Sequence, residues 1–548
     1  MLEKEELEKD MWHRSILECV DKGKKRGLCL YGAGYWGEVA FKVFQKLGIT
    51  PTCYCDDNPE KWNQKKNDLP IYSLEQGVER YPEAVYIVCI DETKKKGSWD
   101  REKQKHMVER LKSLGVYDRN TELRILYYVF LLDISSLDQV GEAREIEDNI
   151  KEEDIQNIIL FNNMSNSGSY YLEQLLDGHR NILCLPYSET LENVYVNRMQ
   201  YLEGDELLIE MMTQMLGYLH SEFEELYCVG QHRFQGYCVN QEGHFIKDIY
   251  IDPTIFIQQL KLQLGDNRKL KSYAHMLKVY FAAYNNCLGK KKEKNTEYWI
   301  FYHMHLPNYD PSIMYAHLNA DEFKRVENLI IIREPVQHCY SWIRRFVMKE
   351  KNNAAVKKEA FSHIINSELG IMLEKKKGFE NVKAIKFEDL KSKPEETLKS
   401  LCRWIDIPYM DSLKSTTVNG IEIYFPALTP DGMKYITGND QTPVACVRFT
   451  EAMTLWDETR LNMIFSSFKK AYGYENSIPE FLEFSREQLK DILKRDFKFA
   501  TLVEELICEK GAEDERYNVN EWIKKLFMEY IESHQKEKEY YPCILPED

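Results

Sequence analysis

One stretch of the 548-residue chain has the residue types and spacing to hold a phosphate: Ile155–Arg180, IQNIILFNNMSNSGSYYLEQLLDGHR. The apolar run Ile158–Phe161 predicts a buried parallel strand, and Asn162–Gly168 a loop of small polar residues. The spacing of Tyr171, Leu172, Leu175 and Leu176 predicts a helix with one apolar face. Strand, small loop, helix is an anion-binding arrangement. The first amides of a helix have no partner within it, and its dipole favours negative charge there. Gly168 lets the backbone approach a ligand closely, and Ser167 and Ser169 add hydroxyl donors.

A second stretch lies near the N-terminus. Leu28–Tyr31 reads as a strand that feeds Gly32-x-Gly34-x-x-Gly37 and a helix to about Leu47. A further strand ends at Asp56–Asp57, 24 residues past Gly32. That spacing is a dinucleotide fingerprint in its proper context: glycines for the tight turn and close packing, then an acid placed to take ribose hydroxyls. A catalytic Tyr-x-x-x-Lys or Cys/His set does not follow inside residues 1–133, so a redox role is not favoured.

The rest of the chain must position these two loops. Its length exceeds one typical domain, and 43% hydrophobic residues supply real cores. Net charge is −16, which argues against nonspecific nucleic-acid binding. The 14 cysteines lie singly or inside apolar runs, and Cys53 and Cys55 have no second pair at zinc spacing. Reduced thiols, no metal and a cytoplasmic location are expected. The N-terminus lacks a signal-peptide core, and no run reaches the length of a membrane helix.

Taken in order, residues 1–25 read as an amphipathic helix ending in a basic run. Residues 1–133 continue as a strand–helix alternation, with strand Ala84–Ile90, a helix over 101–114 and a last apolar run Leu123–Leu132. Residues 134–156 are a polar, acidic linker. A second α/β domain covers 157–477, with short strand Ile182–Pro186, an insertion or acceptor region over 190–300, and helical patterns at 205–226 and 254–288. Strand Glu297–Pro307 places His303 and His305 on one face. Strands Leu329–Ile332 and Val382–Phe387 follow, then an amphipathic helix Trp456–Tyr474 and a helical, charged extension over 478–548. The expected architecture is α/β: an N-terminal Rossmann-like parallel sheet followed by a P-loop-like domain with a helical insertion and a helical C-terminus.

Two further segments, Asn328–Trp342 (NLIIIREPVQHCYSW) and Lys383–Pro408 (KAIKFEDLKSKPEETLKSLCRWIDIP), join the first. In this order the three resemble the sulfotransferase family, which transfers sulfuryl groups from 3′-phosphoadenosine-5′-phosphosulfate (PAPS). The resemblance spans roughly residues 157–477. It implies a 5′-phosphosulfate site in the loop Ser165, Asn166, Ser167, Gly168, Ser169 and Tyr170. Asn166 stands where the family carries Arg or Lys, and Arg180, His303 and His305 are candidates to replace that cation. It implies a 3′-phosphate site of Arg333, whose fork suits phosphate, and Ser341 eight residues on. Glu189, His305 and His303 are the candidate general bases. Lys434 is the one lysine of a segment, 418–440, where the family closes a loop over the 3′-phosphate. The segment from Lys383 is architectural, with Pro394 at the first helical position and Leu398, Leu401, Cys402 and Ile405 as its buried stripe.

The N-terminal wording CYCDDNPEKWNQKKNDLPIYSLEQ resembles the small Rossmann-like domains of bacterial sugar-modifying enzymes. It implies a nucleotide or nucleotide sugar at Gly32, Gly34, Gly37, Asp56 and Asp57, and by analogy a carbohydrate or glycan hydroxyl as acceptor. Two alternatives stand beside a sulfotransferase. One is a non-catalytic nucleotide- or glycan-binding protein derived from one. The other is a P-loop kinase, disfavoured because no lysine closely follows Gly168.

Overall fold

The computed structural model describes residues 15–46, 48–89, 101–118, 148–163, 167–185, 188, 191–197, 199–204, 207–208, 210–211, 240–244, 253–294, 296–304, 318, 322–341, 343, 382–418, 420–429, 432–438, 452–474, 485–508, 519–533 and 541–546. The chain forms two compact units. One comprises Met1–Glu147, Thr190–His232 and Tyr250–Lys271; the other comprises Asp148–Glu189, Arg233–Ile249 and Ser272–Asp548.

The first unit follows helix α1 (Ser15–Arg26) with strand β1 (Leu28–Tyr31), helix α2 (Tyr35–Lys46) and strand β2 (Cys53–Cys55). A hairpin β3 (Lys65–Lys66) and β4 (Leu69–Tyr72), helix α3 (Leu74–Arg80), strand β5 (Val85–Val88) and helix α4 (Arg101–Ser113) follow, and the helices Leu191–Asn197 and Pro253–Leu264 belong to the same unit. The sheet order is β3-β4-β2-β1-β5, parallel except for the β3–β4 hairpin. All four residues of β1 and of β5 are buried, as strands covered on both faces must be. The apolar run Leu123–Leu132 lies outside the described residues.

The second unit is built on a six-stranded sheet. Its strands are β6 (Ile155–Asn163), β7 (Ile182–Cys184), β8 (Tyr298–His303), β9 (Arg325–Ile332), β10 (Val382–Lys386) and β15 (Cys543–Ile544). Their order is β15-β10-β9-β6-β8-β7, and every pairing is parallel. The two-residue alternation of side chains divides the core. Ile159, Phe161, Leu329, Ile331 and Ile385 face helices α5 (Ser169–Asp177) and α8 (Pro394–Trp404). Ile330, Ile332, Val382 and Ala384 face the C-terminal helices, including α9 (Leu455–Ile464) and α13 (Val519–Ser533). Helix α6 (Tyr273–Cys287) carries a run of buried side chains, and its Tyr273 hydroxyl meets that of Tyr302 on β8 at 3.0 Å. The fold is thus α/β with parallel sheets. The stripe Leu398, Leu401, Cys402 and Ile405 is buried, and Pro394 opens α8.

Three expectations need correction. The pattern over 254–288 is two helices, Pro253–Leu264 and α6, because Gly265 and Arg268 between them take left-handed backbone (φ 65 and 39). The helix expected over 456–474 breaks at Phe465 into α9 and α10 (Ser466–Ala471), and the Phe465 ring packs at 5.3 Å from that of Tyr530. The region beyond 478 is not wholly helical. After α11 (Arg486–Ile492), α12 (Lys498–Cys508) and α13, Cys543 and Ile544 pair with Ala384 and Ile385 as the edge strand. Two residues carry no periodicity, so tertiary pairing alone makes that strand.

Helix α5 is held at both ends. At its C-terminal end the Lys290 ammonium donates to the carbonyls of Asp177 (3.1 Å), His179 (3.3 Å) and Ile182 (2.8 Å). The first two lie where α5 presents partial negative charge, and the third opens β7. Asp177 in turn accepts from the Thr417 hydroxyl (2.8 Å) and the Gly420 amide (2.9 Å), tying down the small sheet of β11 (Thr417–Val418) and β12 (Ile421–Glu422). Lys290→Met removes three charge-assisted contacts from half-buried carbonyls. It should lower unfolding stability by about 2–3 kcal/mol in urea titrations, with an unchanged m-value.

Candidate functional site

Neighbouring strands β6 and β9 send their connections to opposite sides of the sheet: β6 leads to β7, and β9 leads to β10. A crevice opens at such a point, outside the carboxyl ends of the strands. Register shows what reaches it. Asn163, the last residue of β6, pairs with Ile331, so Arg333 leaves β9 beside the β6 loop. Phe161 pairs with His303 at the end of β8, and Lys386 pairs with Ile332, which brings Phe387 to the same edge.

Of the expected donor loop, Ser165 and Asn166 lie outside the described residues. Ser167 is fully buried and Ser169 nearly so. Gly168 caps α5 with left-handed backbone (φ 88) and brings no side chain to the helix start. A Cβ there would fall 2.3 Å from the Phe387 ring, so glycine is required both by conformation and by space. Tyr170, in the first turn, meets the His303 ring edge-on at 5.0 Å.

His303 is 1% exposed, and both ring nitrogens are engaged. Nδ1 meets Glu173 Oε2 at 2.7 Å and Nε2 meets Asn163 Oδ1 at 3.0 Å. The imidazole therefore ties three elements together: the end of β6, the end of β8 and the second turn of α5. This geometry makes it a strut between the strand ends and α5; a general base needs a nitrogen open to an acceptor. His305 and Glu189 lie outside the described residues. Ser188, next to Glu189 in the sequence, donates its hydroxyl to the His303 carbonyl at 3.4 Å, which places Ser188 at the carboxyl end of β8. Arg180 is not a substitute cation. It follows α5, which runs back across the sheet, and it pairs with Glu293 at 3.3 Å, just before β7 begins.

Arg333 is half-buried, with its guanidinium carbon 4.9 Å from the Phe387 ring centroid. Ser341 is half-buried on the helical segment 335–341. The backbone just past Arg333 is locked from several sides. Glu388 accepts from the Glu334 amide (2.9 Å) and the Tyr474 hydroxyl (3.1 Å). Glu334 accepts from the Gln337 amide (2.7 Å), capping the helical segment, and pairs with buried Lys469 at 3.0 Å. Burial raises the Glu388 carboxyl above its ordinary range, even though these donors and Arg333 pull it down. Lys434 is exposed on the hairpin of β13 (Phe425–Thr429) and β14 (Gly432–Ile436).

The sequence reading missed Glu173, Glu334, Glu388, Lys469 and Tyr474. Each sits on a helix or turn where its polarity reads as solvent-facing. The available signal was Glu334 next to Arg333, since an acid three residues before an amide is a helix cap.

In the first unit, Gly32 (φ 118) and Gly37 are packing glycines. A Cβ on Gly32 would fall 2.3 Å from the Cys89 carbonyl oxygen, and one on Gly37 would fall 2.0 Å from the Gly32 oxygen. Gly34 is exposed with open space around it. Both acids are committed to the protein. Asp56 accepts from the amides of Ala33 (2.7 Å) and Asn58 (2.9 Å) and from Lys61 (2.9 Å). Burial would raise its carboxyl, but these donors win and hold it below the ordinary range. Asp57 accepts from the Tyr31 hydroxyl (2.7 Å) and pairs with Arg110, which also pairs with Glu75. Lys66 lies on the glycine loop, donating to the Gly34 carbonyl at 2.9 Å.

Among the described residues no cluster of ligating side chains fits a metal ion, the cysteines are free thiols, and no helix is long and apolar enough to cross a membrane.

The second unit thus defines an α/β protein in which a glycine-capped helix start and an arginine lie together at a topological switch point. No protein-family model and no curated protein matches the sequence. Among solved structures the chain is similar to a sulfotransferase domain from the curacin biosynthetic pathway, at 13% identity and TM-score 0.29, covering 59% of this chain and 98% of that one. It is also similar to the sulfotransferase domain of the Synechococcus PCC 7002 olefin synthase, at 15% identity and TM-score 0.26, covering 61% and 99%. A third is sulfotransferase STF1 from Mycobacterium tuberculosis H37Rv, at 12% identity and TM-score 0.23, covering 53% and 74%. Likenesses at this distance assign no residue a role.

His338 lies in the helical segment after Arg333 and is fully buried. Burial, with the Arg333 guanidinium nearby, pushes its imidazole from 6.5 down to about 3. Above about pH 6.5 the group is neutral folded and unfolded and contributes no pH dependence. As pH falls from there towards 3 the unfolded chain takes up a proton that the folded chain refuses, so stability falls. His338→Gln should flatten the loss between pH 6.5 and 5, measured by urea unfolding at each pH. A slope equal to that of the natural protein would show that His338 is protonated in the folded state.

Proposed function

We propose that the second unit is a sulfotransferase that moves a sulfuryl group from PAPS to a hydroxyl acceptor, a carbohydrate or glycan in our reading. The observation that carries it is that Arg333, just past β9, and Gly168, at the start of α5, lie against one and the same ring, Phe387, at the switch point. The sequence resemblance assigns these to the 3′-phosphate and the 5′-phosphosulfate of one donor, with Ser341 beside Arg333 and residues 165–170 around the other group. The acceptor oxygen attacks sulfur, the bond from sulfur to the phosphate oxygen breaks, and 3′-phosphoadenosine-5′-phosphate (PAP) leaves. The acceptor proton passes to a base. Glu189 is our choice, because its neighbour Ser188 reaches the end of β8 while both nitrogens of His303 are engaged. His305 is the runner-up. No metal is required; charge on the leaving 5′-phosphate is met by the backbone amides at the start of α5, while Arg333 holds the 3′-phosphate. For the first unit we keep a nucleotide or nucleotide sugar at the loop Gly32–Gly37, with Gly34 as the point of close approach; Lys66 beside that loop is paired with Glu38 at 3.2 Å.

Binding to the full chain tests the donor. PAP at about a hundred times its dissociation constant should add roughly 2.7 kcal/mol of stability, seen as a raised Tm. Stabilisation by ATP but not PAP would favour the kinase reading. Arg333→Ala should weaken PAP by about 2–3 kcal/mol and spare adenosine-5′-phosphosulfate, which lacks the 3′-phosphate. Equal loss for both ligands would remove Arg333 from the 3′ site.

Turnover tests the chemistry. With PAPS and a glycan panel followed by mass spectrometry, Glu189→Gln should lower kcat by about 10²–10⁴-fold at nearly constant donor affinity. Full activity of that variant moves the base to His305. Tight PAP binding with no sulfated product from any acceptor favours the non-catalytic binding protein, for which Asn166 in place of a cation is the sequence argument.

A further inference from the structure

Phe387 has no part in the chemistry above, yet it touches both anion sites. Its ring lies so close to Gly168 that a Cβ there would meet Cδ2 at 2.3 Å and Cε2 at 2.4 Å. The same ring carries the Arg333 guanidinium at 4.9 Å. Tyr171, on α5, meets it edge-on at 6.4 Å. Phe387 follows directly on β10, and β9 stands between β10 and β6. Strands two apart stand about 9.5 Å from each other, more than a phenyl side chain spans, so the contact between the ring and Gly168 is made beyond the strand ends, over the end of β9. It is the first residue of α7 (Phe387–Ser392), whose second, Glu388, holds the Glu334 amide. Its own backbone is thereby anchored to the strand end that bears Arg333.

We infer that Phe387 is the spacer between the two anion sites, and that its flat, rigid ring makes the crevice select a nucleoside 3′,5′-bisphosphate over either monophosphate. This rests on the donor reading above. The physics is preorganisation. A phenyl ring has two side-chain torsions, packs against the glycine on one edge and holds the cation on its face. Two charged ligand groups on one nucleoside gain over one only when both sites stand ready at the matching separation. An aliphatic side chain would fill the volume but let the guanidinium and the loop drift. Gly168 belongs to the same device, because any side chain there would push the ring towards Arg333.

Calorimetric titration of the full chain with PAP, adenosine 5′-monophosphate and adenosine 3′-monophosphate tests it. Phe387→Leu should weaken PAP by about tenfold or more and each monophosphate by no more than about twofold. Phe387→Tyr, which keeps the ring, should retain the preference for PAP. Should the leucine variant not fold, Phe387→Met has to show the same selective loss. Equal weakening of all three ligands, or none, overturns the spacer role. Natural protein that binds no PAP overturns the donor reading and the spacer with it; natural protein that binds PAP beside an unselective Phe387→Leu overturns the spacer alone.

Discussion

Two parallel neighbours whose connections depart in opposite directions cannot both be covered at their carboxyl ends. That constraint at β6 and β9 underlies the whole of the second unit. It leaves a gap where a helix start and a strand end face each other, and it obliges the chain to hold polar groups there without help from regular pairing. The protein braces the gap from below on both sides. On the β6 side, Asn163, His303 and Glu173 lock two strands and α5 together. On the β9 side, Glu388, Tyr474, Glu334 and Lys469 fix the chain just beyond Arg333.

The bracing also engages the acids nearest the switch point. Glu173, Glu334 and Glu388 all lie close to the site. Glu173 is taken by His303, Glu334 by Lys469 and a backbone amide, and Glu388 by an amide and a phenol. Removing one partner of such a buried set leaves an unpaired charge in low dielectric, which costs far more than the intact set contributes. The surface can stay strongly acidic because the field inside the crevice is set by fixed groups within a few ångströms.

Much of the architecture was legible in the sequence. Continuous apolar runs such as IILF and LIII admit little else than buried parallel strands, and the glycines at 32, 37 and 168 stand where backbone or ring would collide with a Cβ. What resisted reading depends on partners distant along the chain. Glu173 looks like the polar face of a helix until β8 brings His303 to it across 130 residues. Asp56 looks like a ribose acceptor until the Ala33 amide is seen to occupy it. Phe387 reads as the last apolar residue of a strand, and only its tertiary contacts show that the ring lies against both Gly168 and Arg333.

The edge strand Cys543–Ile544 bears on how the molecule is made. β10 pairs with it on one side, and 156 residues separate Lys386 from Cys543. At ordinary rates of translation the ribosome needs about 8–30 s to supply that interval. Throughout it the outer edge of Val382–Lys386 stands with unpaired amides and carbonyls, the condition that invites pairing with another chain. Lys383 and Lys386 stand among the apolar residues of that strand, and charges on an open edge discourage such encounters. Newborn chains stalled within this interval are therefore the ones for which a chaperone matters most.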